Sequence, residues 1–331
     1  MRVRVLGGGF YGCHIALALI NAGCEVELHE TGERIMGGAS GNIPARLHQG
    51  FHYPRSRMTR AACQEHVSAF MGRYGFLTRH VPVNLYAIAR DDSLVDFDQY
   101  VRTLRGEVDF VPVHDPWEYG LQKCEGAVLT GERHIVTDFA RSFFEEQLAD
   151  VIRLKAPKFT GNFADAWDWT IDCTFCANDA AGVDRYEPCL VVLMVGPVDV
   201  AVTIMDGPFG SLYPWREDFG LVSLSSAKWT PFSKTCRTYE EARFVLDRLT
   251  KLEIDTQAQA MIDSMAEYYP AIVDRYLIHD HLLSIRAMPA SGADSRLIDV
   301  FQPSEKMIRV RAGKIDAIIH AGERVKEIIG C

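Results

Sequence analysis

Residues 2–30 read RVRVLGGGFYGCHIALALINAGCEVELHE, and this stretch decides the fold. Arg2 to Leu6 form a short strand that runs into Gly7-Gly8-Gly9-Phe10-Tyr11-Gly12, a G-x-G-x-x-G. Cys13 to Ala22 follow a helical pattern, with Ile15, Ala16, Leu17, Ala18, Leu19 and Ile20 as its apolar residues, and Gly23 ends it. Cys24 to His29 make a second strand that closes on Glu30. Each residue type has a physical task. Gly7 makes the tight turn, Gly9 lets the backbone approach a pyrophosphate, and Gly12 lets the helix pack on the strand. The free amides at the helix start, Phe10 and Tyr11 among them, face phosphate charge. Glu30 stands where an acid accepts from a ribose hydroxyl. The order strand, turn, helix, strand, acid reads as a dinucleotide site. NAD and FAD look alike at this end, so the segment after the second strand must decide between them.

That segment, residues 37–54, reads GGASGNIPARLHQGFHYP. An NAD-type unit would carry a crossover helix of ordinary composition here. This is a Gly-rich loop instead, with Ser40 and Asn42 as donors and Arg46 as a cation. It resembles the loop after the second strand in the D-amino-acid oxidase and glycerol-3-phosphate dehydrogenase superfamily of flavoproteins. His48-Gln49-Gly50-Phe51-His52-Tyr53 is most similar to the L-2-hydroxyglutarate dehydrogenase branch. The resemblance implies FAD. Ala39, Ser40 and Asn42 would run along the pyrophosphate with Arg46 near it, and Leu47 and His48 would bring the chain under the isoalloxazine. It also implies an α/β fold: a Rossmann-type FAD-binding domain with a second, mainly antiparallel β-sheet substrate domain. On this reading, segments 1–75, 126–182 and 281–331 form the FAD-binding domain, and segments 76–125 and 183–280 the substrate domain.

Two further stretches carry the resemblance. Residues 168–174 (DWTIDCT) are apolar and β-branched, as a central parallel strand should be. The superfamily ends that strand in Ala-Thr-Gly against the cofactor. Thr174 matches, and Phe175 stands where the glycine would be. Near the other end, Leu283 to Pro289 and Asp294-Ser295-Arg296 fall where amino-acid oxidases carry a Leu-Arg-Pro segment. This implies that Arg286 holds a substrate carboxylate. Gly313-Lys314-Ile315 opens a helix over 316–329, whose first amides would face the flavin C2=O and N1, where charge gathers on reduction. Helices are also expected over 56–75, 94–104, 139–149, 238–251 and 255–268, with Ser93 and Thr137-Asp138 as caps.

Composition narrows the function. The chain has 331 residues, 48% apolar and 24% charged, enough for one large or two medium domains. A net charge of −9 without a basic run argues against broad nucleic-acid binding. No apolar stretch is long enough to span a bilayer, and the nucleotide-binding strand at Arg2 leaves no space for a signal peptide, so a cytoplasmic location is expected. Nine cysteines without tidy spacing read as reduced, buried thiols. Cys173 and Cys176 form a C-x-x-C, but no second pair accompanies it. His279-Asp280-His281 lacks metal-site spacing, so no metal is expected.

The candidate catalytic residues are His48, Arg286, Tyr53 and Lys314. His48 would be a base or a polar contact at the flavin ring, or a structural histidine of the loop. Arg286 would be a carboxylate fork, or else an ion pair within the sheet. Tyr53 and Tyr213 would wall the ring. Lys314 and Lys228 would place positive charge for oxygen activation, and Arg55 would stand at the substrate mouth. The cofactor set is Gly7, Gly9, Phe10, Tyr11, Gly12, Glu30, Ala39, Ser40, Asn42, Arg46, Leu47, His48, Thr174, Gly313, Lys314 and Ile315. Together they imply an FAD-dependent oxidoreductase taking hydride from a C–H beside an amine of an amino acid or aminoacyl group. A 2-hydroxy acid is the second choice of substrate. An amino-acid-modified nucleobase in DNA, as in phage hypermodification, and a flavin-binding partner without turnover are the remaining readings.

Overall fold

The computed structural model describes residues 1–42, 45–159, 167–177, 183–232, 235–289, 298–311 and 313–331. Ile43, Pro44 and the Asp294-Ser295-Arg296 stretch lie outside them. In chain order the first elements are β1 (Arg2–Leu6), α1 (Phe10–Asn21), β2 (Glu25–His29), α2 (Ala39–Asn42), β3 (Arg46–Leu47) and α3 (Arg57–Tyr74). Next come β4 (Thr78–His80), β5 (Val83–Ala89), α4 (Phe97–Leu104), β6 (Phe110–Val113), β7 (Cys124–Thr130), β8 (Arg133–Ile135) and α5 (Thr137–Gln147). The middle holds β9 (Ile152–Arg153), β10 (Trp169–Asp172), β11 (Val183–Val195), β12 (Val200–Met205), β13 (Gly210–Arg216) and β14 (Leu221–Ser226). The last part holds α6 (Tyr239–Leu246), α7 (Lys251–Ala266), α8 (Ala271–Arg275), β15 (Leu277–Pro289), β16 (Asp299–Ser304), β17 (Met307–Arg311) and α9 (Ile318–Ile329).

These strands make three sheets. The first runs β16-β17-β10-β1-β2-β9 and is parallel except at β16–β17. Val3, Val5, Leu28 and Ile171 are fully buried in it, packed with Ile15 and Leu19 of α1 and Ile318 and Val325 of α9. The second runs β15-β11-β14-β13-β12-β5-β7-β6 and is antiparallel except at β5–β12. One of its faces, with Leu85, Val202, Leu212 and Leu224, packs on Ala258, Met261 and Ile262 of α7. A small third sheet, β3-β8-β4, carries the loop residues that come after α2. Both α/β character and the antiparallel second sheet are as the sequence implies. The eight-stranded sheet also takes in β7 and β15, stretches expected in the cofactor domain. Cross-strand pairing decides this, since β15 pairs along β11 from Val183 to Val195.

Helix starts differ where a polar side chain is used elsewhere. The helix expected from residue 94 begins at Phe97 and is capped by Asp96, whose Oδ1 accepts from the Gln99 amide at 2.6 Å. Ser93 does not cap it, because its hydroxyl oxygen already accepts from the Val95 and Asp206 amides. Thr137 lies inside α5, and Asp138 pairs with Arg141 and Arg216 instead of capping. The last helix enters through a 3-10 turn over Ile315–Ala317.

Candidate active site

A cleft of ≈ 520 Å³ opens at the carboxyl ends of β1 and β10. Gly7, Gly9, Phe10, Tyr11, Glu30, Ala39, Ser40, Asn42 and Thr174 all line it. Two of the glycines are required by packing. Gly7 has φ +92° and a Cβ there would meet the Cys173 carbonyl oxygen at 2.8 Å, while one on Gly12 would come to 1.9 Å from the Gly7 oxygen. A Cβ on Gly9 would meet only Ser40 Oγ, at 3.1 Å, so this glycine keeps the cleft floor open beside the helix start. Ser40 Oγ accepts from the Phe10 amide at 3.0 Å, joining α2 to that helix start. Glu30 ties the first glycine turn to the second strand by accepting from Gly8 and Gly32 amides, each at 2.7 Å. A pyrophosphate-sized floor of glycine and small polar residues, with an acid at the ribose end, fits a dinucleotide.

Thr174 and its neighbour account for the missing glycine. Thr174 donates to Asp172 Oδ1 at 2.6 Å, and Phe175 has φ +57°. The left-handed backbone that favours glycine is therefore kept, with a bulky residue in it.

Beyond Tyr11 lies a second group of polar residues. The Tyr11 hydroxyl donates to the Lys314 carbonyl, tying the cleft to the segment before α9. The Lys314 ammonium donates to Cys63 Sγ at 2.7 Å and stands 3.5 Å from the Tyr53 ring centroid. Burial opposes its charge, but Tyr53, Cys63 and Asp316 outweigh that and hold its pKa above the usual lysine range. His48 Nδ1 faces Glu132 Oε1 at 3.7 Å. Burial, helped by Lys314, pulls His48 down to about 4 against the opposing pull of Glu132, so the ring is neutral at pH 7. Glu132 itself is fully buried and accepts from the Gln49 amide at 2.8 Å and from the Tyr86 hydroxyl. Burial raises its pKa, yet His48, Tyr86 and Arg46 together leave it below the usual carboxylate range.

The roof of this group is the face of the eight-stranded sheet turned away from α7. Tyr86, Thr203 and Ser211 sit opposite one another across β5, β12 and β13, and Tyr213 lies two residues further along. Arg46 reaches this row from β3. Its guanidinium donates to Thr203 Oγ1 at 2.8 Å and to Ser211 Oγ, and stacks 4.0 Å from the Tyr213 ring centroid. It is 5% exposed and has no carboxylate within ion-pair distance among the described residues.

Several expected positions move. Arg46 does not line the cleft but lies under the eight-stranded sheet, and Leu47 belongs to the same core as Phe70 and Leu77. Arg286 is paired across the sheet with Glu187, at 2.5 and 3.0 Å to Oε2. Its fork is filled, so the carboxylate-holding role implied by the Leu-Arg-Pro resemblance is corrected to the ion pair within the sheet. Lys228 is exposed beside Trp229, and Arg55 pairs with Asp206 at 2.6 Å. Gly12 serves helix packing. Gly313 and Ile315 flank Lys314 at the entry to α9. Sequence reasoning missed Glu132, Thr203, Ser211, Cys63 and Asp316. Only Glu132 left a signal, as a lone acid in the β-rich stretch 126–136.

Comparison with known proteins agrees with this geometry. The FAD-dependent oxidoreductase (DAO) family model matches residues 2–141. The FAD-dependent monooxygenase FPY4 of Fusarium mangiferae is 32% identical over 98% of this chain and 90% of its own length. The FAD-dependent monooxygenase kojA of Aspergillus flavus is 27% identical over 99% of this chain and 86% of its own. Among solved structures, glycine oxidase from Geobacillus kaustophilus superposes with TM-score 0.72 at 14% identity, covering 99% of this chain and 95% of that one. L-proline dehydrogenase from P. horikoshii gives 0.71 at 15%, covering 99% and 92%. The chain belongs to the DAO family of FAD-dependent oxidoreductases. It is an enzyme whose cofactor is FAD.

Proposed function

We propose that this oxidoreductase removes two electrons from a C–H bond beside a hydroxyl of a small, polar or anionic molecule. His48 is the proton acceptor and Arg46 the anchor. The observation that carries the reading is the pair formed by neutral, half-buried His48 and ionised, fully buried Glu132 under a polar sheet face. FAD, when bound, supplies the two-electron acceptor. A free amine can be oxidised without a base, whereas a hydroxyl must lose its proton, so an imidazole kept neutral at pH 7 favours a hydroxyl substrate. With Nδ1 turned to Glu132, the opposite ring nitrogen is the one that receives the proton, and the carboxylate stabilises the imidazolium that forms. Arg46, which has no carboxylate within ion-pair distance among the described residues, offers its remaining N–H groups to a carboxylate or enolate oxygen. Tyr86, Thr203 and Ser211 exclude water along the roof.

The test is anaerobic bleaching of the purified yellow protein with matched panels of 2-hydroxy acids, cyclic alcohols and amines. Hydroxyl compounds should bleach it, and His48→Asn should slow bleaching about 10²–10⁴-fold while leaving bound FAD in place. Bleaching by amines alone, at the same rate in His48→Asn, would overturn the reading and support amine oxidation. A second reading, oxygen insertion, is favoured by the names of the relatives at 32% and 27% identity. Product mass separates the two, since oxidation removes two hydrogens and insertion adds one oxygen.

A further inference from the structure

The thiols of Cys24 and Cys331 touch. Their sulfurs stand 3.3 Å apart, across 307 positions of the chain. Eight of the nine cysteines are buried, and Cys331 is the exposed one.

The packing of two helices makes this contact. After α1 the chain turns through Gly23 into Cys24, whose amide donates back to the Leu19 carbonyl at 3.0 Å. At the other helix, the Gly330 and Cys331 amides both donate to the Lys326 carbonyl, at 2.9 and 3.0 Å, and close the last turn of α9. The helices lie so close that a Cβ on Gly322 of α9 would meet His14 Nε2 of α1 at 2.6 Å. Each sulfur is therefore carried on backbone that hydrogen bonds hold in place.

The two thiols differ in chemistry. Burial, with the bond to Cys331, pushes Cys24 up to about 11, so it keeps its proton at pH 7. Cys331 is the sulfur that a reagent in solution reaches first.

We propose that Cys24 and Cys331 are a dithiol that closes to a disulfide on meeting a small-molecule disulfide, and so staples the end of α9 to the start of β2. Cys331 gives its proton to water and, as thiolate, attacks one sulfur of the small disulfide, whose other half leaves as a thiol after taking up a proton. Cys24 then gives its proton to water and attacks Cys331 Sγ in the mixed disulfide, and the second thiol leaves in the same way. The protein has lost two hydrogens and the small disulfide has gained them. The sulfurs close from 3.3 Å to a bond of about 2.05 Å, a movement within reach of side-chain rotation at exposed Cys331. The staple joins two parts of the cleft's frame, since β2 runs on to Glu30 and α9 follows Lys314, to which Tyr11 is tied. It depends neither on the substrate nor on the reaction.

The full-length protein, with its flavin, is incubated with oxidised glutathione, alkylated without reduction and weighed. Wild type should lose two hydrogens, and its digest should contain one linked pair of peptides holding Cys24 and Cys331. Cys24→Ser should stop at one glutathione added to Cys331, and Cys331→Ser should react at neither position. Amide exchange over residues 325–331 should slow at least tenfold in oxidised wild type, return on reduction with dithiothreitol, and not slow in Cys24→Ser. A lasting glutathione adduct on wild-type Cys331, a Cys331 bridge between two chains, no reaction, or a disulfide that leaves amide exchange unchanged each overturns the proposal. The wild-type mass and peptide map need no variant to fold.

Discussion

A guanidinium in the interior must be answered by something, and Arg46 and Arg286 are answered differently. Arg286 meets Glu187 through two donors on the facing strand, so its charge is neutralised before any ligand arrives. Arg46 meets two hydroxyls and an aromatic face, which satisfy direction, while its charge is offset only at longer range by buried Glu132. The two substitutions should therefore separate. Arg286→Ala leaves buried Glu187 with Arg185 as its partner, at 2.9 Å to Oε1, and Oε2 without its two donors, and should cost about 1–2 kcal/mol of stability, with little change in KM for a substrate that turns over. Arg46→Met should raise KM for anionic substrates at least tenfold while leaving KM for neutral analogues near the wild-type value. Thermal unfolding and steady-state kinetics on both variants check this. A KM effect confined to Arg286→Ala would return the anchoring role to that residue.

At the scale of elements, the features legible in the sequence are those that local spacing encodes. The β1–α1–β2 unit, the loop around Ser40 and the entry to α9 come from glycines at fixed offsets and from periodicity, which are short-range signals. The roof of the candidate site was not legible, because Thr203, Ser211 and Tyr86 are ordinary strand residues until β5, β12 and β13 are placed side by side. Arg46 misled for the same reason: two residues from His48 it looks like part of the phosphate loop, yet strand alternation sends it to the other sheet. Phe175 is the instructive case between these. Its sequence breaks the pattern, but its φ of +57° keeps the turn after β10. Left-handed backbone costs a non-glycine residue about 1–2 kcal/mol. Phe175→Gly should hence retain FAD and keep or raise the melting temperature, whereas a β-branched substitution there should lower it. Loss of flavin from folded Phe175→Gly would show that the ring, and not the turn, is what matters at this position.

Across the whole molecule, buried His14, His66 and His134 and half-buried His48 are held neutral: His14 at about 3 and the other three at about 4, desolvation being the leading cause in each. Their folded pKa values lie below the unfolded one, so the stability they contribute is present above about pH 6.5 and is lost as pH falls toward 4. Each adds about 1.4 kcal/mol per pH unit to the slope in that window. Melting temperature should stay nearly level from pH 8 to 7 and drop steeply from 6.5 to 4.5. A level profile down to pH 4.5 would mean that these rings take up protons in the folded state.

The bond from the Tyr11 hydroxyl to the Lys314 carbonyl spans 303 positions of the chain. A ribosome that has delivered the glycine turn has still to make nearly all of the polypeptide before the other half of that contact exists. The glycine-turn end of the cavity can thus be shaped early, but the end tied to Lys314 is finished only when the last helix folds back. Flavin capture is therefore expected late in the life of a new molecule. Cells short of the vitamin should accumulate a folded, colourless form ready to be charged, and fragments that stop before residue 313 should hold the cofactor weakly or not at all.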